Sequence, residues 1–135
     1  MMITPCAVIG DSVAVGISRA LPQCAVDATV GISAARFDTA HHPIAGLLTI
    51  ISLGSNPGAN DAAHLTRIRG EISGRVVWVL PAARDRDLVA EIAAARGDLI
   101  VDVRDGGAGP GHIHPSGRGY REIAAEIITM TGTGA

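Results

Sequence analysis

Five short apolar segments, separated by stretches with helical periodicity, constrain the fold of this 135-residue chain more than any other feature. Two of them, at 47–53 and 76–80, are almost wholly apolar, as is typical of strands buried on both faces of a parallel sheet. The full set of predicted strands is 5–9, 25–30, 47–53, 76–80 and 99–103. Strands that alternate with helices predict a parallel sheet with helices on both faces.

Helices are predicted after every strand. Ser116 is a suitable N-cap for the last helix and Asp85 for the fourth, while Gly97 is a suitable stop signal. The predicted helices span residues 12–20, 33–40, 60–72, 85–96 and 116–130. We therefore expect a flavodoxin-like, three-layer α/β/α sandwich with a five-stranded parallel sheet, formed by residues 1–135 as a single domain.

Composition excludes several classes of partner. The formal net charge is −2 and aromatic residues make up 2% of the chain, which indicates neither a basic nucleic-acid surface nor a base-stacking platform. No apolar run approaches the roughly 20 residues that are needed to cross a bilayer. We expect neither nucleic acid nor a membrane as a partner.

The two cysteines, Cys6 and Cys24, stand near the starts of the first two predicted strands. A disulfide between them is geometrically possible if those strands are neighbours in the sheet. However, a first strand that begins near Pro5 leaves no room for a signal peptide. We therefore expect a cytoplasmic protein in which both cysteines are buried free thiols.

Ser12 and His114 form a candidate nucleophile and base. Gly10-Asp11-Ser12 directly follows the first predicted strand, and such a tight turn presents a serine hydroxyl at the start of a helix. His114 lies on a loop just before the last helix, where its imidazole can take the proton of the serine. The alternative is that Asp11 or Ser12 only caps the first helix and that His114 is an ordinary loop residue.

Candidate donors for an oxyanion follow the next two strands. Besides the backbone N–H of Ser12, they are the N–H of Gly31 and the side-chain amide of Asn56 in Gly54-Ser55-Asn56. A glycine lets a substrate carbonyl approach the backbone closely, and an amide donates without carrying charge. The alternative for Asn56 is that of an ordinary turn residue.

These residues resemble the four sequence blocks of the SGNH (GDSL-type) hydrolases. Gly10-Asp11-Ser12, Gly31, Gly54-Ser55-Asn56 and His114-Pro115 occur in the order of that family and cover nearly the whole chain. The resemblance implies an α/β/α sandwich and the activity of an esterase, lipase, thioesterase or carbohydrate acetylesterase, without a cofactor. It also implies Ser12 as nucleophile, His114 as general base, and Ser12, Gly31 and Asn56 as the oxyanion hole.

The histidine block departs from the family pattern. The family usually has an aspartate three residues before the catalytic histidine, where it orients the imidazole, and here that position is Gly111. Asp105, from the same loop, is our candidate substitute for the triad acid, and a backbone carbonyl is another.

The third block departs as well, because Asn56 is followed by Pro57, whereas Gly58-Ala59-Asn60-Asp61 matches the family pattern literally. We favour Asn56 over Asn60 as the donor, since it comes directly after the buried strand and Pro57 keeps it out of the helical region.

We therefore predict a serine esterase that hydrolyses small, acetyl-type esters of a small molecule or a glycan. Two other functions stay open: a binding or accessory domain that has lost the triad acid, and a flavodoxin-like nucleotide-binding or signal-binding domain. The histidines could suggest zinc, but no cysteine lies near them and no H-E-x-x-H motif occurs, so we expect no metal. They are His41, His42, His64, His112 and His114.

Overall fold

A five-stranded sheet forms the centre of the molecule, which we describe from a computed structural model for residues 4–40, 46–56, 58–106 and 114–132. Every strand pairs in parallel with its neighbours, in the order β2-β1-β3-β4-β5. The strands are β1 (Thr4–Gly10), β2 (Ala25–Ala28), β3 (Gly46–Ser52), β4 (Arg75–Leu80) and β5 (Leu99–Asp102). The predicted five-stranded parallel sheet is confirmed.

All predicted helices are present, with bounds close to those expected from the sequence. They are α1 (Ser12–Ala20), α2 (Ala34–Ala40), α3 (Asp61–Gly70), α4 (Arg86–Arg96) and α5 (Gly117–Thr131). A short 3₁₀ turn over Val103–Gly106 was not predicted. Ser116 caps α5 as expected, because its hydroxyl accepts the Gly119 N–H at 3.1 Å. Asp85 stands at the N-cap position of α4 but its side chain makes no capping hydrogen bond.

The helices cover both faces of the sheet. Apolar residues of α1 and α5 pack on one face in a core that contains Val8, and those of α2, α3 and α4 pack on the other in a core that contains Ile9. Successive strand residues point to opposite faces, so a strand buried on both sides must be apolar at nearly every position. The three-layer sandwich is thereby confirmed.

The order of the strands fixes where a ligand can bind. From β1 the chain crosses to β2 on one side and then to β3 on the other, so the direction of winding reverses between these strands. In parallel sheets ligands bind at such a switch point, beyond the carboxyl ends of the strands. Here that place lies beyond Gly10, the end of β1, and Ser52, the end of β3.

Cys6 and Cys24 form a disulfide, with their Cα atoms 4.7 Å apart. The expectation of two free thiols was wrong. The reason lies in the register of two neighbouring strands: Ala7 of β1 pairs with Ala25 of β2, so the residues just before them stand side by side. No helix among the described residues is long and apolar enough to cross a membrane.

Candidate active site

The turn after β1 depends on a glycine and on close contact with β3. Gly10 has a φ of +137°, and a Cβ atom at this position would collide with the carbonyl oxygen of Ser52. Directly after it, the Asp11 N–H donates to that same carbonyl oxygen at 2.9 Å. Only glycine combines this dihedral angle with so close an approach, and the turn is therefore held against the end of β3.

Asp11 is the N-cap residue of α1. Its side chain is fully buried, and Oδ1 accepts the Val13 N–H at 3.0 Å and the Ser52 hydroxyl at 3.3 Å. Burial raises the pKa of the Asp11 carboxyl, although the hydrogen bonds from Val13 and its neighbours act to lower it. The capping role considered for Asp11 is confirmed, and it leaves Ser12 free as the first residue of the helix.

The structure brings Ser12 and His114 together across 102 positions of sequence. The Ser12 Oγ lies 2.6 Å from the Nε2 atom of His114. The serine is half-buried at the start of α1, while the imidazole is exposed to solvent. This separation is within the range for a serine nucleophile and the base that takes its proton.

His114 is placed by the packing of the residues that follow it. Pro115 is buried, and a Cβ atom on Gly106 would lie only 2.8 Å from the Pro115 Cβ. Gly119 in the first turn of α5 faces the Gly106 carbonyl oxygen so closely that a Cβ atom there would collide with it. The small residues Gly106 and Gly119 therefore let the start of α5 rest on the 3₁₀ turn, with His114 just ahead of it.

The predicted oxyanion donors lie around the same edge of the sheet. The Asn56 Nδ2 donates to the carbonyl oxygen of Ile32 at 3.3 Å, which brings the loop after β3 against the segment that follows Gly31. Gly31 has a φ of +79°, and no atom of the described residues lies within 4 Å of where its Cβ would stand. The Ser12 N–H finds no acceptor among the described residues, as the first N–H groups of a helix commonly do not.

Asn60 and Asp61 occupy the start of α3. Asn60 is exposed, has a left-handed φ of 58° and makes no capping bond, while Asp61 accepts the Gly58 N–H at 3.1 Å and closes the turn. The literal Gly58-Ala59-Asn60-Asp61 match therefore forms a helix start. Of the two asparagines, Asn56 is the one that the structure holds against the backbone of the segment that begins at Gly31.

Asp105 interacts with an acid of α5. It lies in the 3₁₀ turn, and its carboxyl group shares a hydrogen bond with Glu126 of α5, which contributes, after burial, to raising the pKa of Glu126. In the described part of the chain, no contact joins Asp105 to His114, and no side chain bonds to the His114 Nδ1. Gly111 lies outside the described residues.

A buried acidic pair beneath the third block was not foreseen. Asp61 and Asp85 face each other, and no group of another described residue donates to Oδ1 of Asp61 or to Oδ2 of Asp85. Burial, followed by the hydrogen bond with Asp61 and the charge of that residue, raises the pKa of Asp85 to about 6. A Cβ atom on Gly54 would stand 3.0 Å from the Asp85 Cβ, so this pair supports the loop that carries Asn56.

The histidines were the residues that could have suggested a metal site, although none was expected. His64 bonds through Nδ1 to Asp38 Oδ2 at 2.7 Å, and Arg67 forms an ion pair with the same oxygen. His41, His42 and His112 lie outside the described residues. Within the described ranges, no group of three or more potential ligands could hold a metal ion.

Comparison with known proteins gives the fold. The sequence matches no family model, and no curated protein is similar to it in sequence. Among solved structures, the C-terminal catalytic domain of peptidoglycan O-acetyltransferase A (OatA) from Streptococcus pneumoniae is similar, with 18% identity, a TM-score of 0.59 and coverage of 96% of this chain and 93% of that one. A protein from Bacteroides uniformis described as a GDSL-like lipase is similar with 12% identity, a TM-score of 0.66 and 96% of each chain covered. The chain has the SGNH-type fold that its sequence blocks predicted.

Proposed function

We propose that this SGNH-type fold carries a serine esterase, which hydrolyses small, acetyl-type esters through an acyl-enzyme on Ser12. The observation that carries the proposal is the 2.6 Å between the Ser12 Oγ and the Nε2 of His114. A serine hydroxyl is a weak nucleophile until a base removes its proton, and no other serine of the described residues bonds to an imidazole.

The first half-reaction forms the acyl-enzyme. As the Ser12 Oγ attacks the ester carbonyl carbon, its proton passes to the His114 Nε2, and the carbonyl oxygen becomes negative. The N–H groups of Ser12 and Gly31 and the Asn56 amide are the donors proposed to stabilise that oxygen. The bond to the alcohol then breaks, and His114 returns the proton to the departing alkoxide oxygen.

The second half-reaction restores the serine. Water gives a proton to the His114 Nε2 and attacks the acyl carbon, and the same donors stabilise the negative oxygen. The bond between the Ser12 Oγ and the acyl group breaks, the acid leaves, and Ser12 regains its proton from His114. No cofactor takes part in either step, because proton transfer and stabilisation of the oxyanion supply the chemistry.

The openness of the site supports a small acyl group on a larger alcohol. His114 is exposed, Ser12 is half-buried, and no described residue fills the space beside Gly31. The described residues around this pair form no enclosed apolar tunnel of the kind that a long acyl chain needs. The similar pneumococcal domain is described as a peptidoglycan O-acetyltransferase, which supports an acetyl group on a carbohydrate as the substrate class.

A second candidate is a binding or accessory domain that keeps the fold without turnover. Position 111 holds glycine where the family has its aspartate, and no described side chain bonds to the His114 Nδ1. Without a group that orients the imidazole, a triad loses orders of magnitude in turnover.

Labelling with a fluorophosphonate, followed by intact mass measurement, tests the proposal. We expect one adduct on the wild type and none on Ser12→Ala. Ser18→Ala is the matched control, because Ser18 lies on the same helix but donates to the Val15 carbonyl oxygen at 2.7 Å. Turnover of p-nitrophenyl acetate should exceed that of p-nitrophenyl laurate. The absence of both adduct and turnover would favour the binding domain, and a preference for laurate would overturn the substrate class.

The disulfide bears on the compartment. Disulfides persist in oxidising environments and are rare in the cytosol, so we propose an oxidising compartment in place of the cytoplasm that the sequence suggested. Thiol titration of denatured protein isolated from its native cells should find no free thiol. Two free thiols per chain would restore the cytoplasmic assignment.

A further inference from the structure

A groove of about 500 Å³ runs between α1 and α5. Its walls are small or basic, and the ring of one tyrosine lies between them. The lining residues are Gly16, Arg19, Ala20, Gly117, Tyr120 and Arg121. Nothing in the proposed reaction uses this groove.

The groove begins beside the catalytic pair. On α1, Gly16 and Arg19 follow Ser12 by four and seven residues, so all three share one face of the helix. Gly16 is therefore about 6 Å along the helix axis from Ser12. On the other wall, Gly117 follows His114 by three residues. Both walls thus extend directly from the two residues that would carry the reaction.

Two guanidinium groups give the groove a positive charge. Neither Arg19 nor Arg121 is in an ion pair or a hydrogen bond within the described part of the chain, and both are exposed. An Nη atom of Arg121 lies 3.7 Å from where a Cβ on Gly117 would stand, so this cation sits over the first turn of α5. A helix N-terminus is itself positive, so its charge adds to that of Arg121. The carboxyl group of Asp11 also acts on the Tyr120 hydroxyl of this groove, but it is buried below the start of α1. Glu122 is paired with Arg118 instead.

Tyr120 forms the floor of the groove and adds a neutral donor. Its ring lies so close to Gly16 that a Cβ atom there would collide with it. Burial, and then the charge of Asp11, raise the pKa of the Tyr120 hydroxyl, which Arg19 partly offsets. The hydroxyl therefore keeps its proton near neutral pH and can donate it to an anion.

We propose that this groove binds an anionic group, a carboxylate or a phosphate, on the alcohol part of the ester whose acyl group is transferred to Ser12. The anion contacts Arg19 and Arg121 and accepts from the Tyr120 hydroxyl. Because guanidinium groups recognise carboxylates and phosphates through paired N–H donors, the two that line this groove define this class of ligand. The proposal rests on the proposed esterase function and narrows its substrates to esters of charged alcohols, such as acidic sugars.

Matched esters test the substrate preference. Three acetyl esters differ in their charged group. Mono-O-acetyl glucose is neutral, mono-O-acetyl glucuronate carries a carboxylate, and mono-O-acetyl glucose 6-phosphate carries a phosphate. We expect kcat/KM to be about tenfold higher for one or both anionic esters than for the neutral one, as a charge-assisted contact provides. In Arg19→Gln/Arg121→Gln the ratio should fall to about one. Arg36→Gln/Arg96→Gln, which removes two exposed arginines elsewhere, should keep the ratio. Equal kcat/KM for all three esters in the wild type would overturn the anion site and leave the esterase intact.

A binding experiment separates this result from failure of the esterase. Titration of Ser12→Ala with glucuronate or glucose 6-phosphate, followed by backbone amide NMR, should shift the signals of Gly16 and Gly117, and glucose should not. The shifts should be lost in the variant that also carries Arg19→Gln/Arg121→Gln. Shifts without any fluorophosphonate adduct on the wild type would reject the esterase and retain an anion-binding groove. The absence of shifts for both anions would reject the groove.

Discussion

The two halves of the Ser12–His114 pair are held in different ways. On the serine side, the Asp11 N–H bonds to the Ser52 carbonyl oxygen at 2.9 Å, and the buried Asp11 carboxylate caps α1. On the histidine side, the imidazole is exposed, and the structure describes no bond to its second nitrogen. The serine is fixed by buried hydrogen bonds of the sheet edge, and the histidine by the packing of Pro115 behind it.

Because of this difference, substitutions near Ser12 should affect stability, whereas substitutions of His114 should affect activity. A change on the serine side disturbs hydrogen bonds that are buried and therefore costly to break. A change of His114 affects an exposed side chain, and substitutions of exposed side chains mostly alter stability little. The departure from the family pattern at position 111 lies three residues before His114 in the sequence.

The largest expected effect is on activity from the histidine side alone. His114→Ala should lower turnover of p-nitrophenyl acetate by about 10⁴-fold, since the proton of Ser12 then has no acceptor. Its free energy of unfolding should stay within about 0.5 kcal/mol of the wild type, because the side chain is exposed. Kinetics and urea denaturation measure the two quantities. A loss of several kcal/mol in stability would show that the two sides do not differ as described.

The serine side should show the opposite behaviour, in which the fold itself is lost. Gly10→Ala should lower the free energy of unfolding by about 4 kcal/mol, from backbone strain at positive φ and from the collision with the Ser52 carbonyl. Gly31→Ala is the matched control: it has a positive φ with open space around the Cβ, and should cost only about 1 kcal/mol. Similar losses in both variants would mean that contact with β3 adds nothing.

The disulfide sharpens the comparison, because it fastens the serine side further. Removing it in Cys6→Ala/Cys24→Ala should lower the free energy of unfolding by about 3 kcal/mol, the loop-closure contribution for a sequence separation of 18. At low temperature, the molecules of this variant that stay folded should still be labelled by the fluorophosphonate on Ser12. A change under 1 kcal/mol by urea denaturation would show that β1 and β2 are held by the sheet alone.

The smallest effect concerns the acidic pair beneath the third block. Since the pKa of Asp85 is raised from its ordinary value near 3.8 to about 6, the folded state binds a proton that the unfolded state releases. The protonated Asp85 carboxyl therefore contributes fully to the free energy of unfolding below about pH 4, and this contribution is lost as the pH rises through about 6. Asp85→Asn should therefore be more stable than the wild type by on the order of 1 kcal/mol at pH 8, with the gain vanishing near pH 4. Thermal unfolding across this pH range measures it, and a constant difference would contradict the raised pKa.

The sequence could predict the local elements and which strand ends meet at one edge of the sheet. The bounds of α1 follow from a glycine-bounded strand and a helix of small residues, and they agree with Ser12–Ala20. The convergence of Ser12 and His114 follows from the parallel sheet, since the ends of its strands share one edge. By contrast, the disulfide depends on the register of β1 against β2, which no local pattern contains.

Side-chain direction was the other limit. Asp105 was one of two candidates for orienting His114, and in the 3₁₀ turn, which was not predicted, its carboxyl group interacts with Glu126. Asp61 and Asp85 belong to the starts of two different helices, and only the packing around Gly54 brings their carboxyl groups together. Neither the contact of Asp105 with Glu126 nor that of Asp61 with Asp85 can be predicted from residue spacing or composition.

The disulfide also determines how the chain carries a mechanical load. A pull on the N-terminal end of β1 reaches Cys6 and passes through the sulfur atoms to Cys24, so the segment between them bears no tension. That closed loop withholds about 60 Å of contour length from a stretched chain. The turn Gly10-Asp11-Ser12 lies within it. Tension applied along the backbone therefore bypasses the serine, which is shielded from extension as long as the disulfide is oxidised.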